Sequence, residues 1–528
     1  MTWRGMKRDD PSSWTFLPGL TFTLNEIVDD SGLSSEVVRS VLRAFMVPTD
    51  DRNGTFNSLG DFNGASAFPI ISHPDGSLVC LQIYTLYEAL YDSPFYWMIA
   101  DKSYAAIAQE HRGKFTEQFA TQRLKAVFGE KHVYSNVNLI GAKGQRIGEI
   151  DVLVIFGDRA IVVQCKSKRL TLEARKGNDL QLQADFKLAV QAAYDQALIC
   201  AKAIESDTTK FDGLTGKNAI LPQLKEIYIC TLVSDHYPAL AVQGRELLNY
   251  ELSGSIQPPL VADVFFLDVL AEFLSSPLRF LSYVNLRLAL HEKLPSINEI
   301  NILGYHLKQN LWFEKDVNMV MVADDYGMDL DVAMMVRREG IQGLGTPLGI
   351  LTRMDKMLAG RMIRSIENAE DSSLIDFGLL LLSVSEDALS ALSNGIEQIT
   401  AQTKRDGKVH DLTMGFEGNE AGLTVHCSND ENSVAATRLA QHCRRRKYVT
   451  RAPQWFGFCA RLDDGMPKFG LKLESPWEFD AELEIETEGM SKSSSAIYSG
   501  GKFKAKKVGR NDECPCGSGK KCKKCCQK

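Results

Sequence analysis

No stretch of this chain stays apolar for the roughly 18–20 residues that a membrane crossing needs, so no span is expected. Its opening, "MTWRGMKRDDPSSW", lacks the apolar centre and small-residue cleavage site of a signal peptide, and a cytoplasmic location is expected. A paired-cysteine framework is missing from the body. Cys80, Cys165, Cys200, Cys230, Cys427, Cys443 and Cys459 are scattered singly, as reduced core thiols would be. No repeat of solenoid length recurs. Positive charge is not in excess either: the net charge is −7, which argues against bulk nucleic-acid binding by the whole surface.

What is present is size and asymmetry. A chain of 528 residues exceeds what one core can organise, so two to four domains are expected. Residues 499–528 hold ten Lys and Arg against two acids, +8, leaving about −15 on the rest of a chain whose total is −7. A basic end on an acidic body suits an anionic partner for that end, or a solubilising role.

Composition and periodicity divide the chain into five segments. Residues 1–105 read as an α+β, winged-helix-like domain: "LNEIVDDSGLSSEVVRSVLRAFM" is helix, glycine turn, helix, with Ser34 or Ser35 as N-cap. "FPIISHPDGSLVCLQIY" follows as a hairpin around Pro74, Asp75 and Gly76. With Arg39 and Arg43 alone on the second helix, packing or partner binding is favoured over DNA reading. Residues 106–300 read as one α/β unit: a helix from "AAIAQEHRGKFTEQF", a hairpin, a long helix with an apolar stripe at Phe186, Val190, Ala193, Ala197 and Ala201, a buried strand "EIYICTLVS", and helices from "VADVFFLDVLAEF" onward. Residues 301–490 read as α+β, with strands at "VNMVMVADD" and "LTVHCSN" and helices at "LIDFGLLLLSVSEDALSALSNGIEQIT" and "SVAATRLAQHCRRRKYV". Arg444 to Lys447 form a basic run there that fits a solvated helix end as well as a phosphate contact. Residues 491–509 read as a flexible linker, and 510–528 as a small zinc knuckle.

The stretch "GEIDVLVIFGDRAIVVQCKSK", Gly148 to Lys168, concentrates the chemistry. If Gly157 and Asp158 form a two-residue turn, Asp151 faces Gln164, and Glu149 faces Lys166. Alternation places these four on one face, with opposed Cβ atoms roughly 4.5–5.5 Å apart. Ile150, Val152, Val154, Phe156, Ile161, Val163 and Cys165 make the other face apolar throughout, and Leu153, Ile155, Ala160 and Val162 make the first apolar near the turn. Such a hairpin belongs at the centre of a covered sheet. Carboxylates buried there need a partner or a cation, and hard oxygen donors suit Mg²⁺ or Mn²⁺. A Glu149–Lys166 ion pair at the sheet's rim accounts for the same residues without a metal.

An acid, a dozen residues, then acid-or-Gln–x–Lys on the next strand resembles the core of the PD-(D/E)XK nucleases. With "HRGKFTE" on the preceding helix, Gly113 to Ile204 is similar to the nuclease-related (NERD) branch, and Gln-x-Lys is similar to the Mrr-like restriction endonucleases. The resemblance implies a central PD-(D/E)XK-type mixed sheet flanked by helices. It implies that Asp151, Gln164, the Cys165 carbonyl and Glu117 hold the metal, with Lys166 as motif lysine and Glu149 or Glu117 supplying the charge lost at Gln164. Gln191 or Gln196 corresponds to the family's glutamine on the following helix, and both stay open. Lys168, Arg169, Arg175 and Lys176 are candidates for flanking phosphates, or a solvated basic turn. His111 and Arg112 are assigned no role.

The tail "GRNDECPCGSGKKCKKCCQK" holds C-x-C, eight residues, then C-C. Cys514, Cys516, Cys525 and Cys526 suit a closed tetrahedral Zn²⁺ site that would itself fold so short a segment. The spacing resembles the SEC-C motif, which implies docking to a protein or an anionic surface; Cys522 falls where that motif has an aromatic residue and is taken as non-ligating. The resulting expectation is a metal-dependent hydrolase of nucleic acid, DNA favoured over RNA, possessing a zinc-bearing docking tail and serving in defence against foreign DNA. The rival expectations are an inactive nucleic-acid-binding module and an adaptor acting through its tail on a protein or ribosomal partner.

Overall fold

The computed structural model describes residues 17–498 except 49–52, 55, 59–60, 170, 172–173, 175–177, 207, 215–220, 237–239, 296–297, 314–317, 370, 417–420 and 492–496. The zinc-tail cysteines, Arg175 and Lys176 lie outside the described residues. Two compact units emerge: Met1–Ile155 with Arg159–Ala271, and Phe156–Asp158 with Glu272–Lys528. Among the described residues no helix is long and apolar enough to cross a membrane. The seven body cysteines are free and buried.

The first unit begins with α1 (Leu24–Ser31) and α2 (Ser35–Ala44). Thr23 and Glu26 cap α1 reciprocally, and Gly32 ends it in the left-handed region at φ 69°, which a residue without a Cβ adopts at no steric cost. Ser34, rather than Ser35, caps α2 through Val37 N. Strands β1 (Thr21–Phe22), β2 (Ile70–Ser72) and β3 (Leu78–Cys80) form a small sheet in the order β1-β3-β2, with Gly76 at φ 85° in the β2–β3 turn. Helix α3 (Ile83–Ala100), which carries Pro94 inside it, leads to α4 (Ala105–Phe128).

The central sheet contains β4 (Val133–Ile140), β5 (Arg146–Phe156), β6 (Arg159–Lys166), β7 (Lys210–Asp212), β8 (Glu226–Val233) and β9 (Leu260–Asp263), ordered β7-β4-β5-β6-β8-β9. It is mixed: β4 runs antiparallel to β5 and β7, while β6, β8 and β9 are parallel neighbours. Leu260–Asp263, expected as helix, is a strand instead. Four residues pair with the edge of β8 before helix α7 (Val264–Phe273) begins, and ladder pairing overrides the local helical pattern. Helix α4 packs on β4 and β6. The expected long helix after β6 is α5 (Asp179–Phe186), a π turn at Lys187–Gln191, and α6 (Ala192–Ile204), which packs on β6 and β8. All five stripe residues, Phe186, Val190, Ala193, Ala197 and Ala201, are buried.

The second unit carries a five-stranded sheet: β10 (His410–Gly415), β11 (Ala421–Cys427), β12 (Gln454–Ala460), β13 (Pro467–Glu474) and β14 (Ile497–Tyr498), ordered β13-β12-β11-β10-β14. The expected strand at "VNMVMVADD" is not formed by its described residues. Met319 and Met321 are exposed there, so no neighbouring strand rewards an extended conformation. The expected helix from Leu374 to Thr400 is two helices, Ser372–Ser383 and Glu386–Asp406, because Ser385 leaves helical geometry to cap the second through Ala388 N. The basic run is held within its own unit. Arg444 pairs with Asp480 at 3.0 Å, Arg445 with Glu486 at 2.8 Å, and Lys447 Nζ donates to the Ser475 carbonyl at 2.8 Å. Between β10, β11 and helix Asn432–Thr450, Asp411 meets two histidines, His426 Nδ1 at 2.7 Å and His442 Nδ1 at 3.4 Å.

Candidate metal centre

The site grows from the β5–β6 hairpin. Its turn is Gly157 and Asp158, with Gly157 at φ 59°, and so short a link joins antiparallel neighbours. From Arg159 to Cys165 every residue of β6 is buried, so the strand's polar end must satisfy itself inside the protein.

Gln164 is fully buried. Its Nε2 donates to the Glu149 carbonyl, which fixes which way the amide points. Gln164 Oε1 is left buried with no hydrogen-bond partner among the described residues. A lone amide oxygen in that state is costly, and it is a hard donor of the kind a divalent cation takes. Asp151 sits across the hairpin, where its Oδ2 accepts from the Cys165 backbone N at 2.7 Å. Burial pushes the Asp151 carboxyl up to about 6; the Cys165 hydrogen bond opposes that rise, and the charges of Glu117 and Glu149 add to it. Glu117, from α4, is raised by burial and then by Glu149. Two carboxyls that resist ionisation around an unpartnered oxygen make a place that a cation would relieve.

Lys166 ends β6. Its Nζ donates to Gln196 Oε1 at 3.2 Å, and Gln196 Nε2 reaches the Glu149 carbonyl at 3.4 Å. The two candidate glutamines therefore part company. Gln196 faces the site, whereas Gln191 is turned to Asn249, accepting from its N and donating to its O, both at 2.9 Å. Gly148 permits this close approach of α6 to β5, since a Cβ there would lie 2.8 Å from Cys200 Sγ. Burial, with Asp151 and Glu149 nearby, pushes the Cys200 thiol up to about 12, and burial raises that of Cys165 too, so neither is a thiolate nucleophile at neutral pH.

The remaining candidate residues have partners of their own. The Glu149 carboxylate does not pair with Lys166; it pairs with Arg146, three residues before it. Arg169, a candidate for a flanking phosphate, already holds Asp235 and Asp92, with its side chain 10 % exposed. Lys168 reaches Asp185 at 3.4 Å. His111 stays exposed, with the Tyr104 hydroxyl 3.3 Å from Nδ1. Among the described residues no group of three or more His, Cys, Asp or Glu side chains could hold a metal by itself. Asp151, the unpartnered Gln164 amide oxygen and Glu117 come together here. Sequence reasoning overlooked Asp235 and Asp92 and gave Arg112 no role. The signal available was "LVSDH", where a buried strand ends abruptly in polar residues, as β6 does.

A family model described as a nuclease-related domain, NERD, matches residues 112–231, from within α4 to most of β8. No curated protein matches the chain, and no solved structure does.

Proposed function

We propose that this protein hydrolyses phosphodiester bonds in nucleic acid, DNA in the first instance, with a divalent cation at the β5–β6 hairpin. The observation that carries this reading is Gln164 Oε1, buried and unpartnered beside the Asp151 carboxyl in a segment matching a nuclease-related family. Asp151, the Gln164 amide oxygen and the Cys165 carbonyl would hold Mg²⁺ or Mn²⁺, with Glu117 beside them. The bound cation supplies charge neutralisation at a phosphate and makes water more acidic. Lys166 supplies the proton-handling group, orienting a water on the phosphate with its Nζ, and Gln196 fixes where that Nζ points. Gln164 in place of an acid is the Mrr-like pattern, so the site carries one negative charge fewer.

The second part of the proposal is the tail. Cys514, Cys516, Cys525 and Cys526 bind Zn²⁺ as a SEC-C-type knuckle, and the closed four-cysteine site docks the protein rather than catalysing.

Labelled double- and single-stranded DNA and RNA, incubated with Mn²⁺ or with EDTA, test the reading. Cleavage is expected with Mn²⁺ alone, lost in Asp151→Ala, Lys166→Ala and Gln164→Leu, and retained in Gln164→Glu. Cleavage that persists in both Asp151→Ala and Lys166→Ala overturns it. A second reading, a non-catalytic nucleic-acid-binding module, follows from Gln164 standing where the resemblance has a second acid, with one ligating charge fewer. It predicts no cleavage with either metal, and salt-sensitive binding that survives Asp151→Ala.

A further inference from the structure

Beside the hairpin lies a cluster that the proposed hydrolysis does not use. Ser234 N donates to the Lys166 carbonyl at 3.1 Å, which sets Asp235 at the same end of the sheet as Lys166. Asp235 there collects two arginines. Arg169 Nε lies 3.1 and 3.2 Å from its two carboxylate oxygens and Nη2 3.0 Å from Oδ1, while Arg112 Nη2 donates to Oδ1 as well. Asp92, on α3, takes a further bond from Arg169 Nη2. Aromatic rings of α3 form the floor: Arg112 lies 4.7 Å over Phe95 and 5.2 Å over Tyr91, and Arg169 lies 5.2 Å over Phe95 and 4.8 Å over Tyr96.

The cluster is over-supplied with donors. Arg112 Nε and Arg169 Nη1 are buried without a hydrogen-bond partner among the described residues. Side-chain exposure is 9 % for Arg112, 10 % for Arg169 and 6 % for Asp235, but 35 % for Asp92. Two guanidiniums and two carboxylates leave the cluster neutral. Of the two acids, Asp92 alone can swing into water at modest cost. A phosphodiester oxygen taking its place would keep the charge balanced and bring acceptors to the unused N–H groups, for which planar guanidinium forks are suited. Pro94 removes one backbone hydrogen bond from the turn of α3 that carries Asp92, which loosens that turn.

We infer that Arg112 and Arg169 form a phosphate-binding site for the nucleic-acid backbone next to the hairpin, with Asp92 as its resident competitor. The inference rests on the nucleic-acid reading above and adds a second contact point, controlled by the N-terminal segment.

The test is fluorescence anisotropy of a short fluorescein-labelled DNA duplex titrated with the full-length protein in EDTA, where cleavage does not intervene. Asp92→Asn removes the competing charge at a partly exposed position and is expected to tighten binding by roughly two- to fivefold, the scale of a partly exposed ion pair. Arg169→Gln is expected to weaken binding and lower the slope of log K against log salt by about one. Arg169→Lys, which keeps the charge without the fork, should fall between them. Thermal midpoints of all variants separate lost binding from lost folding. Equal or weaker binding by Asp92→Asn overturns the inference, as does an absence of duplex binding in every variant. Cleavage with Mn²⁺ is scored separately. An active enzyme indifferent to Asp92→Asn sinks this site alone, whereas an inactive protein that tightens on Asp92→Asn keeps the site and sinks the hydrolase.

Discussion

Asp151→Asn should make the metal-free protein more stable. The carboxyl, ordinarily near 3.8, is pushed up to about 6, mainly by burial. A raised carboxyl pKa means that the folded state binds the proton more tightly than the unfolded chain does. Below about pH 4 both states are protonated, so the side chain costs nothing. Between about 4 and 6 the unfolded chain ionises first and stability falls; above about 6 the cost is complete. At ~1.4 kcal/mol for each pH unit of displacement that cost is at most about 3 kcal/mol. Asparagine keeps an oxygen for the Cys165 N–H and never has to ionise. In EDTA at about pH 7.5 the variant's thermal midpoint should therefore exceed the wild type's by up to roughly 5–10 °C, with the gap closing by about pH 4. Saturating Mn²⁺ should reverse the order, because binding to the folded state stabilises the wild type alone. A variant equal to or weaker than wild type at neutral pH in EDTA, or a gap that does not change with pH, refutes the reasoning.

Gln196→Ala should lower kcat about 10–100-fold with little change in KM, since it releases the Nζ of Lys166, whereas Gln191→Ala should leave cleavage unaltered because its partner is Asn249. Asp411→Asn should destabilise the second unit by about 1–3 kcal/mol at neutral pH in urea titrations. Burial alone would raise this carboxyl, but hydrogen bonds from His426 and His442 hold it well below the carboxylate range. The advantage is therefore present above about pH 4 and lost as pH falls toward the depressed value, and an equal gap at both ends of that range would contradict the assignment. Metal analysis of the purified chain should find about one zinc, lost in Cys514→Ser and Cys525→Ser and kept in Cys522→Ser. Zinc bound equally by all three variants would remove the four-cysteine assignment.

The residues of the hairpin made much of this legible without coordinates. Gly157 and Asp158 between two apolar runs specify a tight reversal, and period-two alternation then decides which side chains share a face. The helical stripe from Phe186 to Ala201 was readable for a similar reason, because burial of one face leaves a periodic record. Capping chemistry is equally local, although choosing Ser34 over Ser35 required the backbone. Contacts between distant segments were not legible. Leu260–Asp263 is a strand because β8 offers it an edge, and Gln196 rather than Gln191 meets Lys166 because the π turn and the α6 packing aim it there. Arg169 turned to Asp235 and Asp92 is likewise decided by which opposite charge lies nearest in space. Sequence periodicity fixes which face a side chain leaves from; the partner it meets depends on the packing of elements far apart in the chain, and that information exists only once the sheet and its helices are assembled.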